Sequence, residues 1–433
     1  MTASPRSPGQ PRASSIGHLS GLRSSRYGIY VLCLFTAANL LHYGNRNVLF
    51  SMYEDLRQQF GFTNSELGLL GTAFMLSHAL ATPLVGWAGD RFDRRRIIAL
   101  GLVLWSSAAI VSGFASGFGT FFLGRALVGV GTAACVPLCN SILCEVFPEG
   151  QKARTVAIFN VGLFIGGAAG FGVGRLGYPV GVLAMAAPGL IAAFFVARLD
   201  VQARRASNEA SMAFHDFLAQ ARQLASVPTM RWVLCGAVTM AFSAGGYQAW
   251  LFDFLQKGKR LAPGTTYMVL GIALLGGLFG VLCGGAVGDR LQRRLAYGRL
   301  AAISAGMMTS VPFALACIYL DDGIAFYIAS GLTMFFIMWY HGPMAAVVDD
   351  LAIDDRAVTA QAVVFFTMHL LGTAPSPWVI GKIADAYGLE RAMLVPSIGV
   401  LAAGFVFMGG WRSMARDRVM AASASGQSGL RAL

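Results

Sequence analysis

Twelve long apolar runs constrain this chain more than any other feature of its 433 residues. A helix needs about 20 apolar residues to cross the hydrocarbon core of a bilayer, because each residue adds only about 1.5 Å. Hydrophobic residues make up 56% of the chain and charged residues 12%, whereas soluble domains carry about 25% charged residues. The runs therefore predict an all-α integral membrane protein with twelve transmembrane helices, and the scarcity of charge excludes a soluble enzyme. The predicted spans cover residues 27–50, 66–89, 97–116, 119–146, 155–174, 177–197, 232–255, 266–288, 300–320, 323–347, 357–381 and 392–411.

A polar stretch, residues 198–231, separates the sixth apolar run from the seventh. We therefore expect two halves of six helices each, at residues 27–197 and 232–411, joined by a cytoplasmic linker. Residues 1–26 are rich in Ser, Pro and Arg and contain no apolar core, so we expect a disordered cytoplasmic tail and no cleavable signal peptide. Residues 412–433 are expected to form a second cytoplasmic tail.

The basic residues are distributed unevenly between the two sides of the predicted membrane. Of the 33 Lys and Arg residues, 24 lie in the tails and in the loops that follow even-numbered spans, and 7 lie on the opposite side. Because basic residues collect on the cytoplasmic side of a membrane, both termini are predicted to be cytoplasmic, in a multi-pass protein of the inner membrane. The cations form small clusters between apolar runs rather than one solvated patch, which argues against a nucleic-acid partner.

Enzyme and metal signatures are missing from the sequence. The seven cysteines lie almost entirely inside the apolar runs and form no CxxC pair, so they predict neither a disulfide framework nor a zinc site. No Ser-His-Asp order, HExxH motif, Walker loop or dinucleotide fingerprint is present. We therefore expect no enzymatic activity, no cofactor and no metal.

An internal repeat relates the two halves. The loop after the second span reads GWAGDRFDRR from Gly86, and the loop after the eighth reads GAVGDRLQRR from Gly285. The shared pattern GxxGDRxxRR recurs at the same place in each half, as expected for a transporter built from two parallel repeats. The nearby charges predict a gate, because ion pairs that form in only one conformation bias a two-state equilibrium. The alternative is ordinary interfacial ion pairs, each worth under about 1 kcal/mol. The gating candidates are Asp90, which can pair with Arg94 or Arg95, together with Arg91, Glu145, Arg154, Asp289 and Arg290.

Together with the segment RALVGVG from Arg125, these loops make the chain resemble the major facilitator superfamily along nearly its whole length. Within that superfamily the chain is similar to the spinster family of lysolipid and sphingolipid transporters. The matching segments are HYGNR from His42, GDRFDR from Gly89, RALVGVGTAA from Arg125 and HLLGTAPSP from His369. The resemblance implies a twelve-helix fold that works by alternating access around a site at mid-membrane.

Three membrane-embedded carboxylates of the spinster pattern are replaced in this chain. Asn45 and Thr373 stand where the pattern has Asp, and Thr132 stands where it has Glu. If those acids carry the coupling ion in relatives, this chain is either an uncoupled facilitator or couples through other residues. Histidine exchanges protons near neutral pH, so His42, His341 and His369 are candidate replacements. A hydrogen-bonded structural role is the alternative for each of them.

Two arginines, Arg46 and Arg125, fall inside predicted spans, where an ionisable side chain costs roughly 2.5–3.5 kcal/mol. We expect at least one of them to point into the central cavity and to attract an anionic group such as phosphate. The alternative is that backbone carbonyls or Glu66 satisfy them. Asp253 ends the seventh span, and its expected roles are an outer gate, a proton site or a plainly solvated carboxylate. The substrate-binding candidates are Asn45, Arg46, Arg125, Thr132, Tyr247, Gln248, Trp250, His341, His369 and Thr373.

One chain supplies both halves, so a monomer suffices for transport, and the expected partners besides the substrate are the bilayer and coupling protons. The resemblance and the arginines together predict the substrate. The expected substrate is a lysophospholipid or sphingolipid-like amphiphile with a phosphate head. Two alternatives stay open: a proton-linked transporter of small organic anions or drugs, and a membrane sensor that does not transport.

Overall fold

The computed structural model describes residues 17–200, 214–352 and 357–424, and within these ranges the chain is helical without strands. Two sets of six long helices lie on either side of the gap at residues 201–213. The first set is α1 (Gly17–Val48), α2 (Asn64–Arg91), α3 (Arg94–Gly113), α4 (Phe118–Val146), α5 (Lys152–Val173) and α6 (Val180–Ala197). The second set is α7 (Pro228–Asp253), α8 (Pro263–Gln292), α9 (Gly298–Tyr319), α10 (Ile324–Asp350), α11 (Thr359–Tyr387) and α12 (Leu394–Gly409). Shorter helices cover Tyr53–Phe60, Phe214–Ser226 and Trp411–Ala424.

Ten of the long helices are long and apolar enough to cross a membrane, counted over the described residues. The helices α1 and α7 are not among the ten, and both carry polar residues near their C-terminal ends. Twelve transmembrane helices and cytoplasmic termini therefore stay predictions. The helix α1 begins at Gly17, inside the segment 1–26 that was expected to be disordered, and residues 1–16 lie outside the described part of the chain.

Prolines explain the irregular turns inside three of the long helices. A proline has no N–H to donate to the carbonyl four residues earlier, so the helix is interrupted there. In α4 the break after Thr132 precedes Pro137, and in α10 the tighter turn at Met338–Tyr340 precedes Pro343. In α11 a wider turn at Met368–Thr373 precedes Pro377. These interruptions give the polar residues near them a backbone that departs from a regular helix.

Three apolar clusters form the interior. One is built from the first half, with Ala374 of α11 added, and includes Trp105 and Phe159; another lies in the second half and includes Phe407. The third is shared by both halves, because Leu56 and Tyr53 of the first half pack with Trp250 and Phe254 of the second. We call the end of the bundle that contains this third cluster the Asp253 face, and the opposite end the terminal face. The halves are therefore held together by apolar burial at one end of the molecule.

Asp417 joins the helix Trp411–Ala424 to the start of α7. Its carboxylate is 3% exposed and accepts hydrogen bonds from the Thr229 backbone N–H and hydroxyl, both at 2.8 Å. Burial raises the pKa of Asp417, but the Thr229 hydrogen bonds and Arg416 outweigh burial and lower the pKa below its usual value. A buried carboxylate with satisfied acceptors stabilises the fold by about 1–2 kcal/mol.

We expect Asp417→Asn to lower the free energy of unfolding at pH 7 by about 1 kcal/mol. Because the folded-state pKa is lowered, the contribution is complete above the unfolded-state pKa of about 3.9 and is lost as the pH falls through the folded-state pKa. Thermal unfolding in detergent, followed from pH 7 to pH 3 for both proteins, tests this expectation. A difference between them that does not shrink at low pH would contradict it.

Candidate functional site

The two halves meet through a polar contact between α1 and α7. Arg46 donates from Nη2 to Gln248 Oε1 at 2.6 Å, and Gln248 donates from Nε2 to Asn47 Oδ1 at 2.9 Å. The Nε of Arg46 is buried and has no hydrogen-bond partner. We call Arg46, Asn47 and Gln248 the polar junction. The Nε–H of Arg46 is therefore among the guanidinium donors left for an acceptor on a ligand.

Three histidines from different helices lie beside the polar junction. His42 of α1 and His78 of α2 have ring centroids 5.9 Å apart. Both lie within electrostatic range of Arg46, as does His369 of α11. Nδ1 of His42 has no hydrogen-bond partner. The sequence reasoning selected His42 and His369 but missed His78, because a single histidine in an apolar run does not reveal which side of its helix meets the junction.

Threonine hydroxyls contact two of these histidines. Nδ1 of His78 lies 3.2 Å from Oγ1 of Thr132, and Nδ1 of His369 lies 3.2 Å from Oγ1 of Thr373. Thr132 and Thr373 are two of the three positions at which the spinster pattern has a carboxylate. Imidazole–hydroxyl contacts therefore occupy these positions here.

Arg125 lies inside the first half rather than at the polar junction. It is 5% exposed, donates from Nη1 to the Asn45 carbonyl at 3.2 Å, and has its guanidinium over the Phe74 ring at 4.9 Å. The Asn45 side chain is engaged elsewhere and donates to the Met185 carbonyl at 2.8 Å. Glu66 accepts from the Thr63 backbone and hydroxyl at the start of α2, so the expectation that Glu66 satisfies an arginine is wrong.

The other three substrate-binding candidates are separated from Arg46. Tyr247 shares a hydrogen bond with Ser397 at 2.8 Å and lines an apolar cavity of about 50 Å³ within the second half. Trp250 is buried at the Asp253 face and donates to the Pro377 carbonyl at 2.9 Å. His341 is exposed and stacks on Tyr340 with centroids 4.3 Å apart. Of the four α7 candidates, counting Asp253, only Gln248 joins the polar junction.

Asp253 closes one end of the interface between the halves. It is 4% exposed and accepts two hydrogen bonds from Arg57, at 2.9 and 2.5 Å, so the expectation of a plainly solvated carboxylate is wrong. Burial lowers the pKa of Arg57, but the hydrogen bond and charge of Asp253 outweigh burial and raise it. Lys257 also pairs with Glu54 at 3.1 Å. The Asp253 face is therefore closed by ion pairs as well as by apolar packing.

Asp385 of α11 adds a further contact at the Asp253 face. Its carboxylate accepts from the backbone N–H groups of Asn64 and Ser65, at 2.9 and 2.8 Å, and from the Ser65 hydroxyl. The first two amides of α2 are thus capped by a carboxylate from the opposite half. A helix N-terminus favours such a negative charge.

The gating candidates of the first half lie at the terminal face and pair within that half. Arg94 forms an ion pair with Glu145 at 2.6 Å, and Arg154 is exposed. Arg95 pairs with Asp93 at 2.8 Å, and Arg91 stacks on Trp87. The side chain of Asp90 lies outside the described part of the structure.

In the second half, Asp289 pairs with Arg299 at 3.1 Å rather than with Arg290, which is exposed. The ion pairs described at the terminal face each join residues of one half, as Arg94 with Glu145 and Arg299 with Asp350 do. In the part of the chain that the structure describes, the polar contacts that join the two halves lie at the Asp253 face and at the polar junction.

Residues 35–377 match the family model of the Major Facilitator Superfamily. The chain belongs to the major facilitator superfamily. Membership confirms the resemblance based on the loop and α4 motifs. A major facilitator protein with ten helices apolar enough to cross a membrane is a multi-pass membrane transporter.

Spinster proteins are among the relatives of this chain. The chain is 28% identical over 403 residues to Protein spinster of Drosophila melanogaster, covering 87% of this chain and 64% of the fly protein. It thus spans less than two thirds of that relative. It is 26% identical over 429 residues to Protein spinster homolog 1 of Xenopus tropicalis, covering 89% and 81% of the two chains. The major facilitator chain is therefore spinster-like, as its motifs predicted.

Solved structures share the fold. A bacterial homologue of the human lysosomal transporter spinster, in an inward-facing and unoccupied conformation, superposes with a TM-score of 0.79 at 18% identity, covering 90% of this chain and 98% of that one. The nucleoside transporter NupG superposes with a TM-score of 0.72 at 13% identity, covering 88% and 99%. At these identities the likeness concerns the fold alone.

Proposed function

We propose that this chain transports an amphiphile with a phosphate head, a lysophospholipid or a sphingolipid-like molecule, across the cytoplasmic membrane. The observation that carries the proposal is Arg46, whose buried Nε has no partner at the contact between the two halves. A guanidinium offers paired donors in a plane, which suits the oxygens of a phosphate. The contact of Arg46 with Gln248 of the other half supports Arg46 as the arginine that attracts the anionic group.

The proposed mechanism is alternating access between two six-helix halves, with all twelve long helices crossing the membrane and both termini cytoplasmic. Closure at the Asp253 face supports an inward-facing state under this orientation. The contacts of Asp253, Lys257 and Asp385 would break when that face opens, and the terminal face would close in turn. The polar junction lies between the two ends, where each state gives access from one side.

Protons are proposed as coupling ions through His42, His78 and His369. Each lies in the field of Arg46, which disfavours a second positive charge. An anionic head bound to Arg46 would offset that field and favour proton uptake by the same cluster. Substrate and proton binding would then reinforce each other, which is the requirement for coupled movement.

Uptake of a labelled lysophospholipid by proteoliposomes, with and without an inwardly acidic gradient, tests this function. We expect Arg46→Gln to reduce uptake at least about tenfold, since a charge-assisted contact worth 1.5–3 kcal/mol is lost (about 1.4 kcal/mol per tenfold). Arg231→Gln, an exposed arginine far from the junction in sequence, is the control and should leave uptake unchanged.

Competition assays separate the alternatives. Unlabelled lysophospholipid should compete with the labelled molecule, whereas short-chain organic anions should not. Competition by the short anions alone would favour the organic-anion transporter, and the absence of any flux would favour the sensor. A flux of lysophospholipid that does not depend on the pH gradient would contradict the proposed proton coupling and still support the lipid substrate.

A further inference from the structure

A buried cation without a counter-charge lies in the first half of the bundle. Arg125 is 5% exposed, and its Nε and Nη2 have no hydrogen-bond partner. Its one hydrogen bond is to a neutral acceptor, the Asn45 carbonyl. Among the described residues, no carboxylate forms an ion pair with it. Two nitrogen atoms of the guanidinium, Nε and Nη2, therefore lack an acceptor, and its positive charge lacks a counter-charge.

The surroundings of Arg125 do not neutralise this charge. The Phe74 ring at 4.9 Å contributes a cation–π attraction of about 0.5–2 kcal/mol, whereas a buried unpaired ion costs several kcal/mol. Arg46 lies within electrostatic range and adds a charge of the same sign. The carboxylates of Glu66 and Asp253 are already held by Thr63 and Arg57. A negative species from outside the chain is the remaining way to offset the charge.

A small cavity adjoins Arg125. It measures about 10 Å³ and is lined by Arg125, Asn45 and Ser112 among otherwise apolar side chains. That volume accommodates roughly one water-sized sphere, too little for a phosphate or a carboxylate. The Ser112 hydroxyl donates to the Ala108 carbonyl, and the Asn45 amide donates to the Met185 carbonyl. Arg125 is therefore the polar residue lining the cavity that has side-chain donors without a partner.

We propose that a monatomic anion, chloride, binds in this cavity as the counter-ion of Arg125. Chloride is only slightly larger than a water molecule, accepts from both free donors and supplies the missing negative charge. A water molecule would satisfy the donors but leave the charge unbalanced. The site lies inside one half and is separate from the polar junction, so the proposal stands independently of the substrate.

Thermal unfolding of the purified protein in detergent tests the chloride site. Sodium chloride should raise the Tm by about 2–4 °C over sodium gluconate at equal ionic strength, saturably, because the ion binds the folded state alone. Bromide should act like chloride, and sulfate like gluconate. In the Arg125→Gln variant the Tm should be the same in chloride and in gluconate.

A matched pair of variants at Val128 makes the test specific. Val128 lines the cavity one helical turn from Arg125 and is fully buried, and residues three apart on a helix face each other. Val128→Asp provides an internal carboxylate and should abolish the chloride effect. Val128→Asn, with the same shape and no charge, should retain it. These variants decide the matter even if Arg125→Gln fails to fold.

Equal chloride effects in Val128→Asp and Val128→Asn would overturn the proposal, as would equal Tm values in chloride and gluconate for the unmodified protein. Arg46→Gln distinguishes this site from the proposed function: it should lose lysophospholipid uptake and keep the chloride shift. If the unmodified protein takes up no lysophospholipid but its Tm still rises in chloride, the result would contradict the lipid substrate and support the anion site.

Discussion

Oxidation of a Ser65→Cys, Asp385→Cys pair is expected to abolish transport almost completely, and reduction is expected to restore it. The Ser65 amide donates to Asp385 Oδ2 at 2.8 Å, and the two side chains touch. Cysteines there should approach the Cβ separation of 3.5–4.5 Å that a disulfide requires. Because Ser65 belongs to α2 and Asp385 to α11, the disulfide would hold the two halves together at the Asp253 face. A transporter that works by alternating access cannot complete its cycle in that state.

The experiment uses a background in which the seven native cysteines are replaced. Uptake by proteoliposomes is measured after oxidation and again after reduction, and mass spectrometry quantifies the disulfide. Each single-cysteine variant is a matched control that should not respond to oxidation. Unchanged uptake by a fully cross-linked protein would show that the Asp253 face need not open.

The helices were predictable from the sequence because apolar length is a local property. Every predicted span corresponds to a long helix. The predicted and observed first residues differ most for α1, which begins at Gly17 instead of residue 27. Length does not fix the rotation of a helix about its axis. Arg46 and Arg125 both read as cations in apolar runs, yet one lies between the halves and the other inside the first half.

The partners of charged residues were less predictable because they depend on contacts distant in sequence. Asp253 pairs with Arg57, 196 residues away, and no local sequence pattern predicts that contact. Asp289 and Arg290 are adjacent in the repeated motif, but neighbouring side chains on a helix point in different directions. Asp289 instead meets Arg299 at the start of α9. Local spacing located the charges of the repeated motif at the terminal face without identifying their partners.

Gly68→Ala should hold the Asp253 face open and reduce uptake at least about tenfold, which corresponds to about 1.4 kcal/mol against the closed state. A Cβ at Gly68 of α2 would overlap the Pro377 carbonyl of α11 and lie 2.9 Å from the Trp378 Cα, so the obstacle is backbone that cannot rotate away. Alanine is otherwise favoured over glycine in a helix by about 1 kcal/mol, so α2 itself should not be weakened. Gly381→Ala should act alike, because its Cβ would overlap the Asn64 carbonyl across the same interface.

The direction of the shift distinguishes an open face from a misfolded protein. A Leu56→Cys reporter, at a fully buried position of the shared cluster, should react with a membrane-impermeant maleimide faster in Gly68→Ala than in the parent. Gly86→Ala is the matched control on the same helix, since a Cβ there meets nothing within 4 Å, and it should leave both labelling and uptake unchanged. Because the steric conflict at Gly68 exists only while the Asp253 face is closed, slow labelling together with normal uptake in Gly68→Ala would mean that the two halves can pack at this face with a different separation.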